Sequence, residues 1–333
     1  MSNLKLNIAI PAYNGASWIG ETLGSILRQG FQDYEVIISD DNSTDNTIEI
    51  VEGLKDKRIR VFKNEKNVGY GNNLKIIRKL VKDADILFLM GQDDILLKDA
   101  LLKTYNTFIK DEEIGALTRP YYWFDHDFRK PVRAVTPLNQ ERDEVVSIFD
   151  GGKTVRKIFE SLGQLSGLAY RQKYIEIDFN EEIFPSHIYP FASIARTKKI
   201  MFLKDYTVGV RIASSQTRFK TSIYEISPTQ SWIRMLDNVY PEDKYRIPRE
   251  AVKSQMATHY EGLVQLKTSS SFRNLIREIG VMIKLRPANL LNLRFWLISG
   301  LTVLVPARLL RWMADNFKKH ILSSGLKKIA IEI

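Results

Sequence analysis

Two adjacent carboxylates, Asp93 and Asp94, follow the unbroken apolar run Ile86-Leu87-Phe88-Leu89-Met90, with only Gly91 and Gln92 between. Carboxylates that close repel each other unless a cation lies between them. Hard oxygen ligands suit Mg²⁺ or Mn²⁺, ions that in turn bind phosphates. The plainer reading is a polar strand end that caps the next helix, and a lone Asp-Asp would favour it. Two other polar stretches shift the balance. Ala12-Tyr13-Asn14-Gly15 and Asp40-Asp41-Asn42-Ser43-Thr44-Asp45 also follow apolar runs. A crevice lined by such loops suits a nucleotide, with a loop carboxylate accepting from base N–H groups and a metal holding the diphosphate. Read singly, Asp40 and Asp45 are turn and cap residues, and Asn67-Val68-Gly69-Tyr70-Gly71 is an ordinary loop.

The elements that must position these groups alternate along the chain. A continuous run of large apolar residues reads as a strand buried on both faces, so 86–90 is such a strand and the acids sit where it leaves the core. Residues 6–10 form an earlier strand closed by Pro11, after which Trp18, Ile19, Leu23, Ile26 and Leu27 recur at helical spacing. Residues 34–39 and 59–62 are two more strands, followed by helices through Ile48, Ile50, Val51 and Leu54, and through Leu74, Ile77, Leu80 and Val81. A fourth helix runs through Ala100, Leu101, Tyr105 and Phe108. Repeated strand–helix units with short links predict a parallel sheet covered by helices on both faces.

At 333 residues the chain is long enough for one large domain and an appendage, and 44% hydrophobic with 26% charged residues marks a globular chain. Cysteine is absent, which excludes disulfides and thiolate chemistry and fits a reducing compartment. The N-terminus enters a short strand at once, so no secretory signal is expected. The charge is uneven. From residue 262 onward twelve Lys and Arg face three acids, an excess of nine out of the chain's ten. Only the tail calls for an acidic partner.

The motifs in order resemble those of the family 2 nucleotide-sugar glycosyltransferases. The blocks are Ile10-Pro11-Ala12-Tyr13-Asn14, Ser25-Ile26-Leu27-Arg28-Gln29, Val36-Ile37-Ile38-Ser39-Asp40-Asp41-Asn42-Ser43-Thr44-Asp45-Asn46-Thr47, Asn67-Val68-Gly69 and Asp93-Asp94. The resemblance covers residues 5 to 110. It implies a Rossmann-like, A-type α/β glycosyltransferase domain with a mostly parallel sheet, a nucleoside-diphosphate sugar donor and a divalent metal, Mg²⁺ or Mn²⁺. By position, Pro11, Ala12, Tyr13, Asn14 and Asp41 would contact the nucleotide, and Asn67, Gly69 and Asn73 would line the ribose and sugar side. Asp93 and Asp94 would hold the metal and diphosphate, with Asp94 counted as catalytic. Family members commonly carry one more acid where this chain has Gly91, which implies a weaker metal site or room for a different sugar.

The middle of the chain is less regular. Pro120-Tyr121-Tyr122-Trp123-Phe124-Asp125-His126 offers a sugar-stacking surface or a piece of core, and such clusters more often belong to a core. Gly163-Gln164-Leu165-Ser166-Gly167-Leu168-Ala169-Tyr170-Arg171 occupies the family's acceptor-side segment. About twenty residues on, many relatives carry a Glu-Asp pair whose Asp takes the acceptor's proton. Here the chain reads Phe184-Pro185-Ser186-His187-Ile188-Tyr189-Pro190, so His187 is the candidate base, with a pKa suited to neutral pH, or else a structural hydrogen-bonder. Asp178, Glu181 and Glu182 stand as runners-up.

Residues 1–225 are expected to form the catalytic domain, as a donor half (1–118) and an acceptor half (119–225), and 226–333 a helical, basic extension. Residues 295–307 are uncharged, too short to span a bilayer, and flanked by Arg294, Arg308, Arg311, Trp296 and Trp312, with Lys318, Lys319, Lys327 and Lys328 beyond. This pattern suits a helix in the membrane interface, with 267–330 meeting anionic lipid. A core helix with a solvated basic end is the alternative. The expected enzyme is cytoplasmic, peripheral on the inner face of a bacterial inner membrane, and acts on a lipid-diphosphate-linked glycan. The nearest form is an O-antigen (lipopolysaccharide) sugar transferase, with abequose from CDP-abequose as its specific version. A catalytically silent nucleotide-sugar-binding scaffold is a second reading. A nucleic-acid binder is a third, although the aromatic interleaving of a base-stacking surface is missing.

Overall fold

The computed structural model describes residues 3–214, 221–317, 326 and 331. Strands β1 (Leu6–Ala12), β2 (Tyr34–Asp40), β3 (Ile59–Lys63) and β4 (Ile86–Leu89) pair in parallel in the order β3-β2-β1-β4. All four residues of β4 are fully buried. Alternation divides them between the two faces: Ile86 and Phe88 pack with Ile8 and Ile10, whereas Leu87 and Leu89 pack with Ala9 and Ile37. Each such side chain contributes roughly 1.5–3 kcal/mol on burial, so this register is strongly determined.

Helices cover both faces, as the alternating pattern requires. Helices α1 (Ile19–Leu27) and α4 (Ala100–Lys110) close the face of Ile8 and Ile10, with Val51 of α2 (Thr47–Gly53) at its margin. Helices α3 (Tyr70–Leu80), α5 (Gly152–Ser161) and α6 (Ile188–Ile194) close the other. The first strand runs two residues past its expected end. Asp41 N–H donates to the Ala12 carbonyl at 2.7 Å on the β2 side, and Met90 N–H to the Ala9 carbonyl at 3.0 Å on the β4 side. Pro11 therefore faces the β4 side, where β4 has already stopped at Leu89, and its missing N–H breaks no ladder bond.

Beyond β4 the strands are short. Strand β10 (Ala169–Arg171) lies antiparallel between β4 and β6 (Ile114–Thr118), and β11 (Lys199–Phe202) and β9 (Glu144–Val146) extend the same sheet. A smaller sheet orders β5 (Ile95–Leu96), β12 (Val208–Arg211), β7 (Tyr121–Phe124) and β8 (Pro131–Val135) as β5-β12-β7-β8. The aromatic run is core: Tyr121, Tyr122 and Phe124 are all buried.

The C-terminal part is helical: α7 (Pro228–Val239), α8 (Arg246–Thr258), α9 (Glu261–Ser269), α10 (Phe272–Leu285), α11 (Leu293–Leu304) and α12 (Ala307–Phe317). Caps start three of them, with Ser227, Ser271 and Asn292 side chains accepting from the N–H of Gln230, Asn274 and Phe295 at 3.0–3.2 Å. Met235, Leu236, Val239 and Val252 of α7 and α8 join the main core, whereas Leu263, Leu275, Met282 and Phe295 form a separate cluster.

One close approach ties α3 to the rest. A methyl group on Gly71 would lie 2.2 Å from the Asn180 carbonyl oxygen and 2.4 Å from that of Glu181. Both are backbone atoms, so relief requires moving the 180–181 segment. Gly71→Ala should cost about 1–3 kcal/mol in urea unfolding. Gly53→Ala, where nothing lies within 4 Å, should cost none.

Candidate functional site

The polar loops meet at the carboxyl edge of β1, β2 and β4, and they bind one another before anything else. Asn14 N–H donates to Ser43 Oγ and Thr44 N–H to Asn14 Oδ1, each at 2.8 Å. Gly15 N–H donates to Thr47 Oγ1 at 2.8 Å and Ala16 N–H to Asp45 Oδ2 at 3.0 Å. Asn14 and Asn42 adopt φ of 48° and 61°, the left-handed region that Asn tolerates better than most residues. Asp40 is fully buried and accepts from the Ser43 N–H and hydroxyl, which makes it a turn residue.

Asp41, expected at the nucleotide, and Asn73, expected on the ribose and sugar side, are both buried and hydrogen-bonded to the scaffold. Asp41 is buried, and its oxygens accept from Asn64 Nδ2 at 3.1 Å, Val68 N–H at 2.8 Å and Gly69 N–H at 2.9 Å. Buried Asn73 donates to the Ser39 carbonyl at 2.8 Å and accepts from Ser39 Oγ at 2.6 Å. A buried carboxylate or amide needs such partners, and meeting that need turns Asp41 into the pin of the 64–69 loop. The pin sets Gly69 at φ 85° as it enters α3. Asn14 and Asn67 are exposed, and Pro11, Tyr13 and Gly69 are half-buried around the crevice over buried Ala12.

Asp93 and Asp94 sit at the exit of β4. Asp94 Oδ2 accepts from the Ser166 hydroxyl at 2.5 Å and Oδ1 from Arg211 N–H at 2.8 Å. Asp93 Oδ2 accepts from the Ser214 hydroxyl. Burial raises the pKa of both acids, and the charge of Asp93 raises that of Asp94 further. The Arg211 side chain is buried; it donates to the Asp93 carbonyl at 2.9 Å and to Glu21 at 2.5 Å, between the rings of Trp18 and Phe124. Gln92 grips the first loop, accepting from Tyr13 N–H at 2.9 Å and donating to the Tyr13 carbonyl at 3.0 Å. A Cβ at Gly15 would lie 2.3 Å from Gln92 Oε1.

His187 lies near these acids through Tyr70. Its Nε2 is 2.9 Å from the Leu162 carbonyl, which can only accept, so Nε2 carries the proton and Nδ1 the lone pair. The Tyr70 hydroxyl is 3.5 Å from Nδ1, and the charges of Asp93 and Asp94 raise its pKa on top of burial. Burial lowers the His187 pKa to about 4. The near-neutral value expected from sequence is thus displaced downward, because desolvation of the ring outweighs its hydrogen bond to the Leu162 carbonyl.

The donor set fits a divalent cation that shares its coordination with a diphosphate. Asp93 Oδ1 and Asp94 Oδ2 each lie 3.0 Å from the point a Cβ on Gly91 would occupy, so two carboxylate oxygens face one place. Among the described residues no third acid or His completes the set, and Mg²⁺ typically takes one or two carboxylates plus phosphate oxygens. Sequence reasoning missed Gln92, Ser166, Arg211 and Ser214. Gln92 lay inside the motif, but nothing local marks Arg211, 117 residues from Asp94.

A mixed α/β sheet with its acid pair and polar loops at one strand edge is a GT-A-like fold. Residues 7–154 match the glycosyl transferase family 2 model. Glycosyltransferase GlyG of Streptococcus pneumoniae is 30% identical over a stretch covering 38% of this chain and 41% of its own. The poly(ribitol-phosphate) beta-glucosyltransferase of Bacillus spizizenii is 37% identical over 31% of this chain and 17% of its own. The chain therefore spans less than half the length of these relatives. In three dimensions, S. aureus TarS 1-349 in complex with UDP-GlcNAc superposes with a TM-score of 0.64 at 18% identity, covering 97% of this chain and 92% of that one. The mannosyltransferase PcManGT from Pyrobaculum calidifontis, in complex with GDP-Man and Mn2+, reaches 0.55 at 14% identity, covering 92% and 88%.

The acid pair makes a stability prediction whose sign follows from linkage. Its folded pKa values lie above the unfolded carboxylate value near 4, so the pair's contribution is fully present below about pH 4 and is lost as pH rises through the folded pKa values. In EDTA, urea unfolding should show falling stability from pH 5 to 8.5. Asp94→Asn should flatten that slope and gain roughly 1 kcal/mol or more at pH 8.

Proposed function

We propose that this protein is a metal-dependent, inverting hexosyltransferase that moves a sugar from a nucleoside-diphosphate donor to a hydroxyl of a bacterial surface glycan. The observation that carries the reading is the convergence of Asp93 and Asp94 with three mutually bonded loops at one sheet edge. Pro11, Ala12, Tyr13 and Asn14 line the nucleotide side, and Asn67 and Gly69 the ribose and sugar side. Asp41 and Asn73 act from behind, by holding those loops. Mg²⁺ or Mn²⁺ on Asp93 and Asp94 would neutralise the departing diphosphate.

The acceptor oxygen attacks the anomeric carbon in line, the bond from that carbon to the diphosphate oxygen breaks, and the hydroxyl proton passes to Nδ1 of His187. Alignment supplies much of the acceleration. The acceptor in this proposal is a lipid-diphosphate-linked glycan at the cytoplasmic face of the inner membrane. Its specific form is O-antigen, with abequose from CDP-abequose. The relatives named for poly(ribitol-phosphate) favour a second acceptor, a polyol-phosphate polymer.

Donor turnover tests the proposal: the protein is incubated with Mn²⁺, UDP-, CDP-, dTDP- and GDP-sugars, and either lipid-linked glycan or poly(ribitol-phosphate). Nucleotide release should need both metal and acceptor and fall on the order of 100-fold or more in Asp94→Ala. No release from any donor with either acceptor would leave a silent scaffold.

His187 is tested separately. His187→Gln keeps a donor for the Leu162 carbonyl but has no base, and should lose roughly 10²–10⁴-fold in kcat with donor KM unchanged. With an imidazole pKa of about 4, the rate should show no acid limb near pH 6.5. Such a limb would assign the proton to another group.

A further inference from the structure

Helix α11 is apolar on both sides. Leu293, Leu297, Leu301 and Leu304 recur at helical spacing on its solvent side, 44–82% exposed, with Trp296 beside them. Its inward side carries buried Phe295, Ser299 and Thr302, with Ile298 and Val303 packed partly buried against the same cluster. A helix stabilised only by packing on its own domain carries polar residues on the side opposite its core contact. Helix α12 repeats the pattern: Leu309, Trp312, Met313 and Phe317 are exposed, and Leu310 alone is buried. Leu290 and Leu291, in the turn before α11, extend the same apolar surface, Leu291 at 92% exposure.

Basic groups rim this surface. Arg294 reaches Glu261, Arg311 reaches the Thr268 carbonyl, and Arg308 is exposed between them in sequence. Asp315 is the single acid in 293–317. The helices have 12 and 11 residues, roughly 18 Å each, and no helix among the described residues is long and apolar enough to cross a membrane.

We propose that the outward face of α11 and α12 is a docking surface for an anionic lipid bilayer, on which the pair lies flat. Exposed Trp and Leu enter the interface while the arginines meet lipid headgroups. Charge complementarity selects this occupant over a second copy of the chain, because a two-fold contact through the face would bring the arginine rim of one copy towards that of the other. The docking surface is narrower than the 267–330 expected from sequence, of which Lys318, Lys319, Lys327 and Lys328 lie outside the described residues.

The docking is read without donor or acceptor, so its failure and that of the transfer reaction are distinguishable. The full chain is co-sedimented with vesicles of phosphatidylcholine alone and of equal parts phosphatidylcholine and phosphatidylglycerol. Binding should favour the anionic vesicles by about tenfold and weaken with salt. Leu297→Glu/Trp312→Glu should cut it about tenfold or more, with an unchanged circular-dichroism spectrum and melting point. Arg308→Glu/Arg311→Glu should lose the anionic preference. Absence of binding to either vesicle, or normal binding by the Leu297→Glu/Trp312→Glu variant, overturns the proposal. A wild-type dimer made monomeric by that variant, with no vesicle binding, assigns the face to a second copy instead.

Discussion

The repulsion between two buried neighbouring carboxylates is the constraint on which this architecture turns. No side chain in the 91–94 turn supplies a hydrogen-bond partner for the two carboxyl groups. Their supports come from far away in sequence: Ser166 from the turn before β10, and Arg211 and Ser214 from the end of β12 and just beyond. The smaller sheet thereby delivers the main-chain N–H of Arg211 to Asp94 and the guanidinium to the carbonyl of Asp93. Burial still holds both pKa values up, with the charge of Asp93 adding to that of Asp94, so the pair favours carrying a proton at neutral pH.

Around that pair the loops are rigid because they satisfy each other. Gln92 binds both backbone groups of Tyr13, Asn14 bridges to the Ser43-Thr44 turn, and Asp41 gathers the N–H groups of Val68 and Gly69. These mutual hydrogen bonds fix the loops relative to one another at the carboxyl edge of the sheet. They also show why a residue's family position and its role can differ. Asp41 stands where a nucleotide contact is expected, yet its oxygens are occupied by the scaffold that shapes the nucleotide's surroundings.

The chain's two ends solve different burial problems. In β4 every side chain is enclosed and both faces are apolar. In α11 Phe295, Ile298 and Val303 pack inward beside the hydroxyls of Ser299 and Thr302, and a second apolar row, Leu293, Leu297, Leu301 and Leu304, points out. An exposed apolar row of this extent marks a surface suited to an interaction partner.

Much of the first hundred residues was readable directly. The apolar runs, the helical spacing of Leu23, Ile26, Leu74 and Ile77, and the order of the polar loops dictate strand, helix and crevice, because burial periodicity is a local property of the chain. The acid pair was visible for the same reason. The sequence alone could not show that Asp41 and Asn73 turn inward, that His187 is packed into neutrality, or that Arg211 closes the site. Nor could it show which way the apolar residues of 293–304 face. Those outcomes depend on what lies across the fold. A side chain's partners are set by neighbours from about 25 to more than a hundred residues away, and a helix's outward face by what its inward face meets.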